Sequence, residues 1–262
     1  MRGRVLRLLA PVLLALAVLG AWEWAVRAWA VPVFVLPPPT AILAALVADA
    51  GTLGASLWLT LTVTLQAFAL AVVGGVGLAV LFSQSRTLSA ALFPYAVVLQ
   101  VTPVVAIAPL VIIWVGYERV NLALLILAWI VAFFPILSNT TLGLSSADPN
   151  LRDLFRLYGA SRWQVLWRLQ LPTALPYLLA GMKISAGLAL IGAVVAEFVA
   201  GSGTASGLAW RIVEAGNRLN IPRMFAALLL LSLTGVALFA ALSLVQRLAL
   251  RRWHESEVSP RS

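Results

Sequence analysis

Cysteine is absent from the chain and histidine occurs once, as His254. Without a thiol there is no disulfide, thiolate metal site or thiol nucleophile. With one imidazole, neither a zinc centre nor a histidine-based triad has material to build from, and no metal site is expected. Charge is scarce as well: 10% of the 262 residues are charged, where soluble domains carry roughly a quarter. Hydrophobic residues make up 62%, and mean hydropathy is +1.01. For most of this chain the solvent is therefore lipid. The net charge of +9 would point to nucleic acid in a soluble protein. Here the basic residues sit in short segments between apolar runs, a pattern that sets membrane orientation, so no nucleic-acid partner is expected. The 262 residues also hold no Gly-x-x-x-x-Gly-Lys-Ser/Thr loop for nucleotide phosphates, and the chain is not expected to be an enzyme.

Six apolar stretches, near 8–29, 57–82, 91–114, 120–142, 173–199 and 224–247, are long enough to cross about 30 Å of hydrocarbon as helices. They predict an all-α membrane protein organised as one domain over 1–262. The third stretch contains Pro94, Pro103 and Pro109, tolerable only where protein or a water cavity takes up the freed carbonyls. Arg2, Arg4, Arg7, Arg86, Arg152, Arg156, Arg162, Arg168, Arg247, Arg251, Arg252 and Arg261 fall on one side of the spans. Arg27, Arg119, Arg211, Arg218 and Arg223 fall on the other. That imbalance places both termini and the 143–172 loop in the cytoplasm. Ala28-Trp29-Ala30 has the look of a signal-peptide cleavage site. Trp22, Glu23, Trp24 and Arg27 before it fit an interfacial belt better, and the first helix is read as retained. Pro37, Pro38 and Pro39 predict a non-helical turn, with Thr40 capping a short outer helix over Ala41–Ala50.

The 143–172 loop predicts two short helices. Asp148 is placed to cap the first, with Pro149 at its first position. Leu151, Leu154, Phe155 and Tyr158 share one face at helical spacing, and Arg152, Asp153 and Arg156 take the other. Gly159 is placed to end this helix in a left-handed conformation. Ser161 and Gln164 have the spacing of a capping box for the second, and Pro172 is read as its stop. A basic, amphipathic elbow of this kind fits a membrane-surface hairpin and a docking element for a soluble partner equally well.

From Gly159 to Leu169-Gln170-Leu171-Pro172 the spacing resembles the cytoplasmic coupling motif of ABC importer permeases: Glu-Ala-Ala, three residues, Gly, nine residues, Ile-x-Leu-Pro. Asp153 takes the glutamate position, Leu154 and Phe155 replace the alanines, and Leu169 replaces the isoleucine. Leucine and phenylalanine are larger than alanine, so the facing ATPase groove must differ locally. Leu36–Thr40, Thr102-Pro103, Pro109-Leu110, Trp114-Val115-Gly116 and the glycine-rich 201–207 segment resemble the nitrate, taurine and sulfonate branch of these permeases, with thiamine-pyrimidine precursor permeases similar too. The resemblance implies a type I ABC importer permease fold in the bacterial inner membrane. It implies a second permease subunit (as a homodimer), two ABC ATPase subunits carrying ATP and Mg, and a periplasmic solute-binding protein. This chain itself would bind no cofactor. ATPase coupling would fall to Asn150, Leu151, Asp153, Leu154, Phe155, Tyr158, Gly159, Ala160, Leu171 and Pro172. The solute would be a nitrate-, sulfonate- or taurine-like anion or a pyrimidine precursor.

Polar residues within the spans are candidates for the path or gate: Gln100, Thr102, Asn139 and Glu197, with Gln66, Lys183 and Ser185 beside them. Serine and threonine in such helices usually bond backbone or a neighbouring helix, and the Lys183 stem can snorkel to the surface. Glu197 needs a partner or water, which Arg211 could supply. The 200–222 segment faces the periplasm in this reading, where it would meet the binding protein; Arg211, Glu214, Arg218 and Arg223 fit a solvated face as well. An ion-coupled secondary transporter is the main rival, though such carriers need carboxylates near the membrane centre. A membrane enzyme would want an acid, histidine or nucleophile cluster, and a channel a filter motif; neither is visible.

Overall fold

The computed structural model describes residues 2–200 and 206–251, and every regular element among them is helical. The helices are α1 (Arg2–Ala28), α2 (Pro39–Ala48), α3 (Ala50–Gln84), α4 (Arg86–Val101), α5 (Val104–Val115), α6 (Val120–Ser145), α7 (Pro149–Leu157), α8 (Arg162–Val165), α9 (Leu171–Ala200), α10 (Leu208–Asn217) and α11 (Ile221–Leu250). A π-helical turn, Leu166–Gln170, joins α8 to α9, so helix runs unbroken from Arg162 to Ala200. The glycine-rich residues 201–205, and Arg252, His254 and Arg261, lie outside the described residues.

Among the described residues, five helical stretches are long and apolar enough to cross a membrane: Leu9–Ala28, Ala50–Gln84, Tyr117–Ser145, Arg162–Ala200 and Ile221–Leu250. The span expected near 91–114 is not one straight helix. It divides into α4 and α5, bent by 99°. Pro103 lacks a donor and pushes Thr102 into extended backbone, with ψ 123, as the residue before a proline prefers. The Thr102 hydroxyl then donates to the Val98 carbonyl at 2.7 Å. Pro94 and Pro109 stay inside helices. α3 begins at Ala50 rather than near 57.

Two further expectations are corrected. Pro39 joins α2 at its first position, where a missing donor costs nothing, and Thr40 lies inside the helix rather than capping it. The cap comes from α1. Glu23 accepts the Thr40 N–H at 3.1 Å and the Thr40 hydroxyl at 2.8 Å, and also binds Arg27 at 2.6 Å. A carboxylate at a helix N-terminus satisfies an orphan donor and the dipole together. Likewise, Pro172 does not stop the second elbow helix. It sits in continuous helix just past the π turn, the kind of register change by which helices accommodate irregularity.

The chain packs as two units. One comprises the residues up to Trp58 together with Ser206–Ser232. Its core gathers Ile42, Leu53, Leu208, Ala226 and Ala227, and Trp22 meets Phe225 with ring centroids 6.1 Å apart. The other comprises Leu59–Ala205 and the chain from Leu233 onward. Its centre is the pairing of α6 with α9. That pairing is close because small residues face it: a Cβ at Gly181 would lie 2.9 Å from the Pro135 carbonyl oxygen and from the Asn139 Cβ, and one at Gly192 would lie 2.9 Å from the Ala128 Cα. Small residues let membrane helices approach backbone to backbone, where dispersion replaces the hydrophobic effect as the cohesive term. Ser185 crosses the seam to donate to the Ala132 carbonyl at 2.6 Å.

Candidate functional site: the elbow between α6 and α9

The elbow folds by its local caps. Asp148 accepts the Asn150 N–H at 2.8 Å, with Pro149 first in α7. Gly159 has φ +66, a conformation that costs other residues roughly 1–2 kcal/mol. Its N–H and that of Ala160 return to the Arg156 and Phe155 carbonyls at 2.9 Å each, closing the end of α7. Ser161 and Gln164 then cap α8 reciprocally, at 3.3 and 2.7 Å.

What anchors the elbow was not legible in the sequence. Arg152, read there on the face opposite the apolar residues, donates to the Leu144 and Ser145 carbonyls at 2.9 and 3.2 Å. Gln170 reaches the same Leu144 carbonyl at 3.4 Å. The last carbonyls of α6 thus find cationic and amide donors, which the helix dipole favours at that end. The only sequence signal was a basic residue within reach of a helix C-terminus.

With the backbone fixed this way, apolar side chains remain uncovered. Tyr158 is 83% exposed and Leu154 45%, with Leu151 and Leu157 exposed too. Leu154, Phe155, Tyr158 and Ala160 come together, with Gln164 and Arg168, around a groove of about 310 Å³. Asn150 is exposed, and Leu171 and Pro172 are half-buried. Asp153 pairs with Arg156 at 3.2 Å, both exposed, so this pair adds little to stability.

The four path candidates do not converge. Gln100 and Thr102 line a cavity of about 250 Å³ at the α4–α5 bend, with Val131, Ile191 and Gly192 on its far wall. Asn139 instead lies in the α6–α9 seam, donating to the Pro135 carbonyl at 2.8 Å. Glu197 is fully buried and accepts the Thr60 hydroxyl at 2.7 Å. Arg211, expected opposite Glu197, goes to Ser56 at 2.9 Å and Glu214 at 2.7 Å. Nor does Lys183 simply snorkel: its ammonium donates to Gln246 at 2.7 Å and lies 5.2 Å from the Phe239 ring centroid.

Glu214 carries a pH signature. The hydrogen bond from Arg211, followed by the charges of Arg211, Arg218 and Arg223, holds its carboxyl below its ordinary value of 4.5, against the opposing effect of burial. Because the folded-state value is the lower one, the stabilisation is complete above the unfolded value and is lost as pH falls through the folded one. The melting temperature of the detergent-solubilised protein should therefore fall more steeply for wild type than for Glu214→Gln as pH drops from about 6 to about 3.5. Parallel curves would contradict this pairing.

A chain of long apolar helices agrees with the comparisons. Residues 71–255 match the model of the binding-protein-dependent transport system inner membrane component family. The chain belongs to that family. It is 36% identical over 248 residues to the riboflavin transport system permease protein RibX of Chloroflexus aurantiacus, covering 94% of this chain and 90% of the relative. It is 32% identical over 250 residues to the formylaminopyrimidine transport permease protein ThiX of Halalkalibacterium halodurans, covering 92% and 95%. It is 32% identical over 230 residues to the taurine transport system permease protein TauC of Escherichia coli, covering 85% and 81%. The fold matches a chain of the MetNI methionine ABC transporter with a TM-score of 0.61 at 21% identity, covering 74% of this chain and 94% of that one. The expected type I ABC importer permease fold, and the likeness to the taurine and pyrimidine-precursor branches, are therefore found. This family member is a multi-pass component of the inner membrane.

Proposed function

We propose that this family member forms the solute path of an ATP-driven importer, as a pair of identical subunits, each docked through its elbow on a separate ATPase that carries ATP and Mg. The observation that carries the reading is the elbow. Every turn of it is capped, yet Tyr158 and Leu154 are left uncovered. A rigid backbone presenting apolar side chains suits insertion into a partner's groove. Closure of two ATPases would draw two elbows together and rock the permease halves about the path between them. The arginine imbalance supports placing the elbow and both termini in the cytoplasm. A periplasmic binding protein would then deliver the solute on the opposite, less basic side of the membrane.

The solute is a small anion of the sulfonate, taurine or nitrate type, or a pyrimidine precursor. Relatives named for taurine and formylaminopyrimidine support both classes. The test is uptake by proteoliposomes that hold the permease, its ATPase and its binding protein. ATP-dependent accumulation of one class, with hydrolysis stimulated by the loaded binding protein, is the expected result. Accumulation driven by a proton or sodium gradient without ATP would favour the ion-coupled carrier instead.

A further inference from the structure

We infer that a basic cleft beside the elbow binds the phosphate headgroup of an anionic phospholipid. Two cavities of about 590 and 340 Å³ share Ser83, Arg86, Arg152 and Gln170 as walls. Arg156 and Arg162 also line the larger one, and no acidic residue lines either. Four guanidinium groups thus converge; Arg156 pairs with Asp153 at 3.2 Å outside the lining, and the lining itself offers no carboxylate to the other three.

Two donors are visibly short of acceptors. The Nε of Arg152 and the Thr141 hydroxyl are buried without a hydrogen-bond partner among the described residues, and both residues line the smaller cavity. A buried polar group without a partner is costly, and a ligand oxygen relieves it. The 16-residue helix α4 starts at Arg86, which adds the positive end of its dipole. Arginine's planar fork matches phosphate bidentately.

A lipid source follows from the neighbours. Arg86 stands between two apolar helices whose adjacent turns expose Leu81 and Leu92. A headgroup in the cleft would leave its acyl chains along those leucines. Basic pockets at the ends of membrane helices attract anionic headgroups at roughly 1 kcal/mol per cation.

The test is native mass spectrometry of the full permease–ATPase complex in phosphatidylcholine nanodiscs with increasing phosphatidylglycerol. Arg86→Gln with Arg162→Gln should weaken phosphatidylglycerol retention roughly fivefold per residue, so roughly 25-fold together. Arg247→Gln, at the end of α11, should leave it unchanged. Unchanged retention in the double variant would overturn the site. Inorganic phosphate, added to discs without phosphatidylglycerol, tests the source. Phosphate occupancy with no preference for the lipid would overturn the lipid assignment. ATPase subunits are counted in the same spectra, so a failed partner assignment is seen separately from a lost lipid.

Discussion

Tyr158→Ala combined with Leu154→Ala is expected to leave the chain folded in the membrane while weakening its hold on the ATPase subunit roughly 100-fold. The two side chains flank one groove on the elbow and are 83% and 45% exposed. Truncating them removes little internal packing, and exposed substitutions of this kind change stability by about 0.5 kcal/mol or less. In an interface they behave differently. A tyrosine seated in a partner's pocket is typically worth about 2 kcal/mol or more, and a flanking leucine about 1. Together these correspond to roughly two orders of magnitude in Kd. The measurement pairs a melting curve of the solubilised permease with titration of the isolated ATPase. Unchanged melting with a weakened titration supports docking through the elbow. Undiminished ATPase binding and transport would remove the elbow from the coupling role.

The elbow was readable in advance because its determinants lie within a few residues of one another. Asp148 with Pro149, Gly159, and Ser161 with Gln164 each act inside one turn, so spacing alone fixes them. The features that escaped notice are those whose partners are remote. Arg152 binds carbonyls at the end of the preceding helix. Glu23 caps a helix that begins across a proline turn. Glu197 meets Thr60 from another helix altogether, so its polarity alone could not separate a gate from a packing contact. The broken span lies between these extremes. Three prolines were visible, but the bend depends on which one also forces its predecessor out of helix. Only at Thr102-Pro103 does the helix end; Pro94 and Pro109 are carried inside helices. The α6–α9 seam was likewise hidden, since glycines in an apolar run carry no address until the facing helix is known.

That seam supports the last prediction. Gly181→Ala and Gly192→Ala should each lower the melting temperature, whereas Gly187→Ala on the same helix should not. The three changes add the same methyl group to α9, and alanine is favoured over glycine in a helix by about 0.8–1 kcal/mol. At Gly187 nothing lies within 4 Å of the new Cβ, so that preference stands alone and the protein should hold or gain about 2 °C. At Gly181 the new atom would lie 2.9 Å from a backbone oxygen, and at Gly192 2.9 Å from a Cα. Backbone cannot swing aside as a side-chain tip can, so the helices must separate. Overpacking costs typically about 1–3 kcal/mol; a clash with backbone belongs at the upper end, so about 2 kcal/mol remains after the helical gain and melting falls by roughly 4–8 °C. Equal effects at all three glycines would mean that α6 and α9 are not in backbone contact. The consequence reaches beyond stability. The elbow is strung between the end of α6 and the start of α9, so under the proposed coupling role any movement of the elbow would enter the membrane through this seam. In the proposed importer, Gly181→Ala and Gly192→Ala should lower transport per ATP hydrolysed while leaving ATPase docking intact. Tyr158→Ala with Leu154→Ala should do the reverse, losing docking first.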